Sequence, residues 1–82
     1  MISRDEITSF VVEAIKQNSN QTVEDIDISK ELHVYIATSI EFIKLIVDIE
    51  EQYDFSFSNE ELAEKSQCLV KELINDICDK KA

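Results

Sequence analysis

The stretch Ser39-Ile40-Glu41-Phe42-Ile43-Lys44-Leu45-Ile46-Val47-Asp48-Ile49-Glu50-Glu51-Gln52-Tyr53 decides the fold. Phe42, Leu45, Ile46, Ile49 and Tyr53 recur at spacings of three and four, the pattern of a single buried helical stripe. The spacing predicts a helix from Ser39 to Tyr53, with Ser39 at its N-cap or in its first turn. At about 100° per residue the stripe centres between Leu45 and Ile46. Ile40, Lys44, Val47 and Glu51 fall nearly opposite, and Ile43 lies on the flank between the two faces. Branched apolar side chains on an outward face, with Glu41, Asp48, Glu50, Glu51 and Asp54 around them, read as an interaction patch framed by acid.

Before this stretch, Ile7, Phe10, Val11, Ala14 and Ile15 trace a second helix, from Ser3 to about Gln17. Ser3 and Glu6 have the spacing of a capping box, and Asn18-Ser19-Asn20 ends the helix. Roughly residues 19 to 38 then form a long connection containing Val23, Ile26, Ile28, Leu32, Val34, Tyr35 and Ile36. Connections of this length are uncommon in compact domains and often functional; their apolar content predicts packing onto the core. Short strands at Ile26 to Ile28 and His33 to Ile36 are a weaker alternative, since no partner strand is evident. After the central helix, Asp54-Phe55-Ser56-Phe57 reads as an extended link. Ser58 and Glu61 form another capping box, opening a brief helix from Asn59 to about Glu64. Ser66 is expected to cap a last amphipathic helix built on Leu69, Val70, Leu73, Ile74 and Ile77, with Lys80 and Lys81 suited to its C-terminal dipole. The expected fold is all-α: one domain over residues 1–82, a small four-helix bundle of three longer helices and one short helix, with a long loop between the first two.

Composition narrows the function. A chain of 82 residues buries only about 60% of its unfolded surface, which favours a domain that presents a surface over one with a deep catalytic cleft. Eighteen acidic residues against eight basic ones give a net charge of -10, which repels nucleic-acid phosphates and anionic membranes and steers in basic protein surfaces. Glycine and proline are both absent, which argues against a glycine-rich phosphate loop. Cys68 and Cys78, if both on the last helix, are too far apart to bond and lack metal-ligand spacing. They read as reduced thiols. No signal peptide or membrane-spanning run is evident, so the expectation is a soluble, cytoplasmic monomer. His33 is the single histidine and reads as a surface or packing residue, and the paired acids Glu50-Glu51 and Glu60-Glu61 match no catalytic or calcium-loop spacing.

The run from Ala37 to Asp54 resembles the acyl and peptidyl carrier proteins. In that family a Ser followed by Leu or Ile opens the second helix, which runs through aliphatic residues to acids, an aromatic and Asp. Phe55 to Leu62 resembles the family's link and short third helix, Ser66 to Ile77 its fourth helix, and Ser3 to Gln17 its first. The resemblance implies a 4'-phosphopantetheine arm on Ser39, installed from coenzyme A by a phosphopantetheinyl transferase, whose terminal thiol holds acyl or aminoacyl groups as thioesters. It also implies a carrier with no independent catalytic activity. Loading, condensing or tailoring enzymes with basic docking surfaces would contact Ile40, Lys44, Val47, Glu50 and Glu51. Ile36, Ala37 and Thr38 stand where the family usually has Gly two or three residues before the Ser and often Asp directly before it. Lys44 stands where fatty-acid carriers usually have an acid. These departures point to a stand-alone carrier for a dedicated nonribosomal-peptide or polyketide-like pathway. The alternative is an unmodified acidic adaptor that binds a basic partner. A serine hydrolase built on Ser39 is a poor third, because no nucleophile elbow surrounds it.

Overall fold

A serine or threonine ahead of an acid three residues later opens three of the four helices in the computed structural model, which describes residues 3–19 and 24–81. Asn20 and Val23, assigned above to the first helix stop and the long connection, lie outside the described residues. The elements are α1 (Arg4–Asn18), α2 (Ser39–Tyr53), α3 (Asn59–Lys65) and α4 (Val70–Lys81), with a 3₁₀ turn at Leu32–Val34 in the long connection. Ser3 Oγ accepts from the Glu6 amide to start α1. Ser58 and Glu61 form the full reciprocal box that starts α3. Among the described residues the only strand-like pairing is an isolated antiparallel bridge between Glu31 and Leu69. The short strands at Ile26 to Ile28 and His33 to Ile36 do not form: His33 and Val34 fall in the 3₁₀ turn, and the segment beside Ile28 is the opening turn of α4, which leaves one isolated bridge and no ladder.

The helices bury the stripes that define them. Ile7, Val11 and Ile15 from α1, Leu45, Ile46 and Ile49 from α2, and Val70, Leu73, Ile74 and Ile77 from α4 make one core. Leu32 and Ile36 from the connection join it, and Ile26, Ile28 and Tyr35 pack against it, so the described part of the connection is packed down as expected except at Val34, which is exposed. Phe10 meets the Tyr53 ring edge-on at 5.5 Å. Burial raises the Tyr53 hydroxyl above its ordinary pKa, with smaller contributions from Glu6 and Cys78.

The start of the last helix differs from expectation. Ser66 ends α3, with its Oγ donating to the Ala63 carbonyl, and α4 begins at Val70. The opening amides of α4 are satisfied by the connection's backbone: Val70 N–H donates to the Lys30 carbonyl at 3.0 Å and Lys71 N–H to the Ile28 carbonyl at 2.8 Å. Glu72 accepts from the Leu69 amide at 3.1 Å. A helix start needs such partners, and here a distant segment supplies them. Cys68 consequently lies in the turn before α4. Its buried Sγ donates to the Lys65 carbonyl at 3.2 Å.

Burial, above all, holds the Cys68 thiol above the usual thiol range, so little thiolate forms near pH 8. Iodoacetamide at that pH is expected to leave Cys68 unmodified in the folded protein and to alkylate it quickly once urea unfolds the chain, read by peptide mass mapping. Equal labelling in both states would contradict the burial.

α3 is pinned by charge at both ends. Lys65, buried, pairs with Asp76 on α4. Lys80 Nζ reaches Glu61 at 3.0 Å and stands 5.4 Å from the Phe57 ring centre. The Ser58 amide, then Lys80, lowers the pKa of the Glu61 carboxyl.

α2 ends at Asp54, whose φ of 56° is the only positive value at a non-glycine position among the described residues. A left-handed residue after a helix lets the chain turn back while its amide closes on the last turn, here onto the Glu50 carbonyl. The side chain costs about 1–2 kcal/mol in that conformation, and its charge opposes the helix dipole. Asp54→Gly relieves both but loses unfolded-state entropy. The expected net is a gain of about 0.5–1 kcal/mol, seen as a higher urea midpoint with an unchanged slope.

Candidate functional site

Thr38 is extended (φ -122°, ψ 158°), and its Oγ1 accepts from the Glu41 amide at 3.2 Å. Its carbonyl accepts from Phe42 N–H at 3.1 Å. Thr38 is therefore the N-cap, and Ser39 is the first residue of α2. Ser39 is exposed, and among the described residues its hydroxyl makes no hydrogen bond. The capping role open to Ser39 in the sequence is taken by its neighbour.

Glu41 is the residue whose placement departs most from the sequence reading. Expected on an acidic rim, it is buried, with 4% of its surface exposed. Its Oε2 accepts from the Ala37 amide at 3.0 Å. Thr38-Ser39-Ile40-Glu41 has the T-x-x-E spacing of a capping box, which was the available signal. The carboxylate reaches one residue further back than the usual box and clamps the chain just before the helix. Upstream, Tyr35 and Ile36 N–H both donate to the Leu32 carbonyl, and Leu32 N–H donates to the Cys68 carbonyl at 2.9 Å. Ser19 Oγ donates to the Tyr35 carbonyl at 2.7 Å. The approach to Ser39 is thus fixed without any left-handed residue, which is how Ile36-Ala37-Thr38 can replace a glycine-containing turn.

Two recesses flank Ser39. One, of about 480 Å³, opens between α2 and α3 and is lined by Ser39, His33, Ile36, Phe42, Ile43 and Leu62, among others. It adjoins an apolar recess of about 130 Å³ bounded by Phe42, Ile43, Ile46, Val47, Glu50 and Leu62. The other, of about 300 Å³, lies toward the end of α1 and is bounded by Asn18, Ser19, Thr38, Ile40, Glu41 and Lys44. His33 faces the first recess but pairs with Glu31. No hydrogen bond joins it to Ser39 among the described residues.

The outward face of α2 is apolar as the helical wheel indicates: Ile40 is 66%, Ile43 59% and Val47 42% exposed. Lys44 is exposed among them. The two acids assigned to this face separate. Glu50 is half-buried, and its Oε2 accepts from the Phe57 amide at 2.8 Å. Glu51 is exposed and borders the cleft between α1 and α2 with Glu13 and Gln17. Asp48 is also turned in, accepting from Asn18 Nδ2 at 2.8 Å.

These residues suit a covalent arm. No group of three or more potential metal ligands occurs among the described residues. A phosphodiester on Ser39 Oγ would stand at the mouth of α2, where free amides and the helix dipole favour an anion. The adjoining recesses leave room around it.

A family model described as "Phosphopantetheine attachment site" matches residues 9–78, most of the chain. No curated protein and no solved structure matches it. Proteins of this family bear a covalent 4'-phosphopantetheine group, and the four helices fit such a carrier. An exposed, uncapping serine at the head of α2 and a family match that reaches from within α1 to within α4 lead to one conclusion: the chain belongs to the phosphopantetheine attachment-site family of carrier proteins.

Proposed function

We propose that residues 1–82 act as one carrier domain, and that Ser39 is the serine on which the arm is built. The observation that carries this reading is the division of labour at the head of α2: Thr38 caps the helix, Glu41 clamps the approach, and the Ser39 hydroxyl is left exposed. A serine hydroxyl is a weak nucleophile without a base, and among the described residues none is hydrogen-bonded to it. Activation therefore belongs to the visiting transferase. Ser39 loses its hydroxyl proton, a bond forms from Oγ to phosphorus, and the nucleotide half of coenzyme A leaves. Once attached, the arm supplies a thiol that forms thioesters with acyl or aminoacyl groups.

What the chain's residues then do is position and present. The first turn of α2 holds the attachment point, and Ile40, Lys44 and Val47, with Glu50 and Glu51 further along, form the surface that partner enzymes meet. The net charge of -10 supports fast encounter with basic partners. The free thiols of Cys68 and Cys78 fit a reducing, cytoplasmic setting. Lys44 and the glycine-free turn favour a dedicated nonribosomal-peptide or polyketide-like pathway over housekeeping fatty-acid synthesis.

The test is incubation of the purified protein with coenzyme A and a broad-specificity phosphopantetheinyl transferase, followed by intact mass. One phosphopantetheine unit per chain is the expected product. A chain that stays unmodified while a known carrier in the same tube is converted would favour the unmodified adaptor.

A further inference from the structure

From Ser39 to Val47 the exposed residues are Ser39, Ile40, Ile43, Lys44 and Val47. This half of α2, the half next to the attachment point, shows three branched apolar side chains and one charge, and that charge is positive. The nearby acids of α2 are turned away from it. Glu41 is buried against the Ala37 amide, Asp48 holds Asn18, and Glu50 holds the Phe57 amide. Among the described residues no salt bridge engages Lys44, although carboxylates outnumber cations more than two to one in the chain. The acidic character of the protein as a whole is therefore reversed on the patch beside Ser39.

We infer that the enzyme which acts on the Ser39-borne cargo docks here with an apolar socket for Ile40, Ile43 and Val47 and an Asp or Glu set against Lys44. This rests on the carrier reading above and adds the local polarity of the partner. Association closes water out around the apolar side chains, and an ammonium left there without a counter-charge is costly. A facing carboxylate removes that cost and excludes partners that offer a cation at the same place. Basic residues of the partner fall instead toward the C-terminal end of α2, where Glu51 and Asp54 are exposed.

The experiment starts from protein carrying the arm. A thiol-directed electrophilic crosslinker on the arm traps the cognate enzyme from the native host, and that enzyme is then purified for titration. Lys44→Glu is expected to weaken its binding at least tenfold at low salt. Lys30→Glu and Lys71→Glu, exposed positions away from α2, should change binding less than twofold. Carbodiimide should couple Lys44 to an Asp or Glu of the partner, and reversing that residue's charge should restore binding of Lys44→Glu. Equal or tighter binding of Lys44→Glu by a trapped enzyme overturns the inferred polarity and leaves the carrier reading standing. Failure to add the arm, or to trap any enzyme through it, counts against the carrier reading itself and removes the inference with it.

Discussion

Ser39→Ala is expected to abolish phosphopantetheine addition outright while the helical signal and melting temperature stay close to those of the parent protein. The two halves of this result have separate causes. On the proposed reading, addition requires an oxygen at position 39 to bond to phosphorus, and alanine has none. The nearest hydroxyl residues before it in sequence, Thr38, Tyr35 and Ser29, do not take its place: Thr38 Oγ1 caps the helix by accepting from the Glu41 amide at 3.2 Å, and Tyr35 and Ser29 lie in the connection, outside α2. Stability is spared because the Ser39 hydroxyl has no hydrogen bond to lose among the described residues and alanine is the best helix former. Substitutions at exposed sites of this kind stay within about 0.5 kcal/mol. Intact mass after transferase treatment and circular dichroism during heating check both halves on one preparation. Residual addition to Ser39→Ala would place the arm elsewhere.

The second large effect is on the fold beneath that serine. Leu45 is fully buried in the core on the inner face of α2, so Leu45→Ala removes packed methyl groups and leaves a cavity. Such changes cost about 2–5 kcal/mol. A domain of this size has about 4–12 kcal/mol in total at typical stability per residue. The expected outcome is a urea midpoint lowered by a large fraction, with partial unfolding at physiological temperature. Arm addition should fall in step with the folded population, because the helix that presents Ser39 is then intact in fewer molecules. A midpoint shifted by less than about 1 kcal/mol equivalent would mean that the inner face of α2 is not the packed stripe described.

What could be read from the residues was local. The stripe of Leu45, Ile46, Ile49 and Tyr53 and the boxes at Ser3 and Ser58 fix helices through contacts three and four residues apart, and those helices formed within a residue or two of the expected bounds. The exposure of Ile40, Ile43 and Val47 followed from the same geometry. What the sequence hid was non-local. The start of α4 is set by carbonyls of Ile28 and Lys30, some forty residues upstream, so Ser66 looked like its cap when it closes α3. Glu41 looked like a surface acid because a helical wheel carries no information about an amide in the preceding loop. Its spacing from Thr38 was the overlooked sign. Glu50 and Asp48 were legible as acids of α2, but not as acids already engaged with Phe57 and Asn18. The attachment role proposed for Ser39 came from a family pattern. The feature that supports it, a Ser39 hydroxyl not used as the cap because Thr38 is the N-cap, depends on backbone geometry that the sequence does not carry.

The most direct measurement is peptide-level mass spectrometry of the protein purified from its native host. The account predicts a phosphopantetheine-bearing peptide in which the modified residue is Ser39. A population in which that serine is uniformly bare would contradict it.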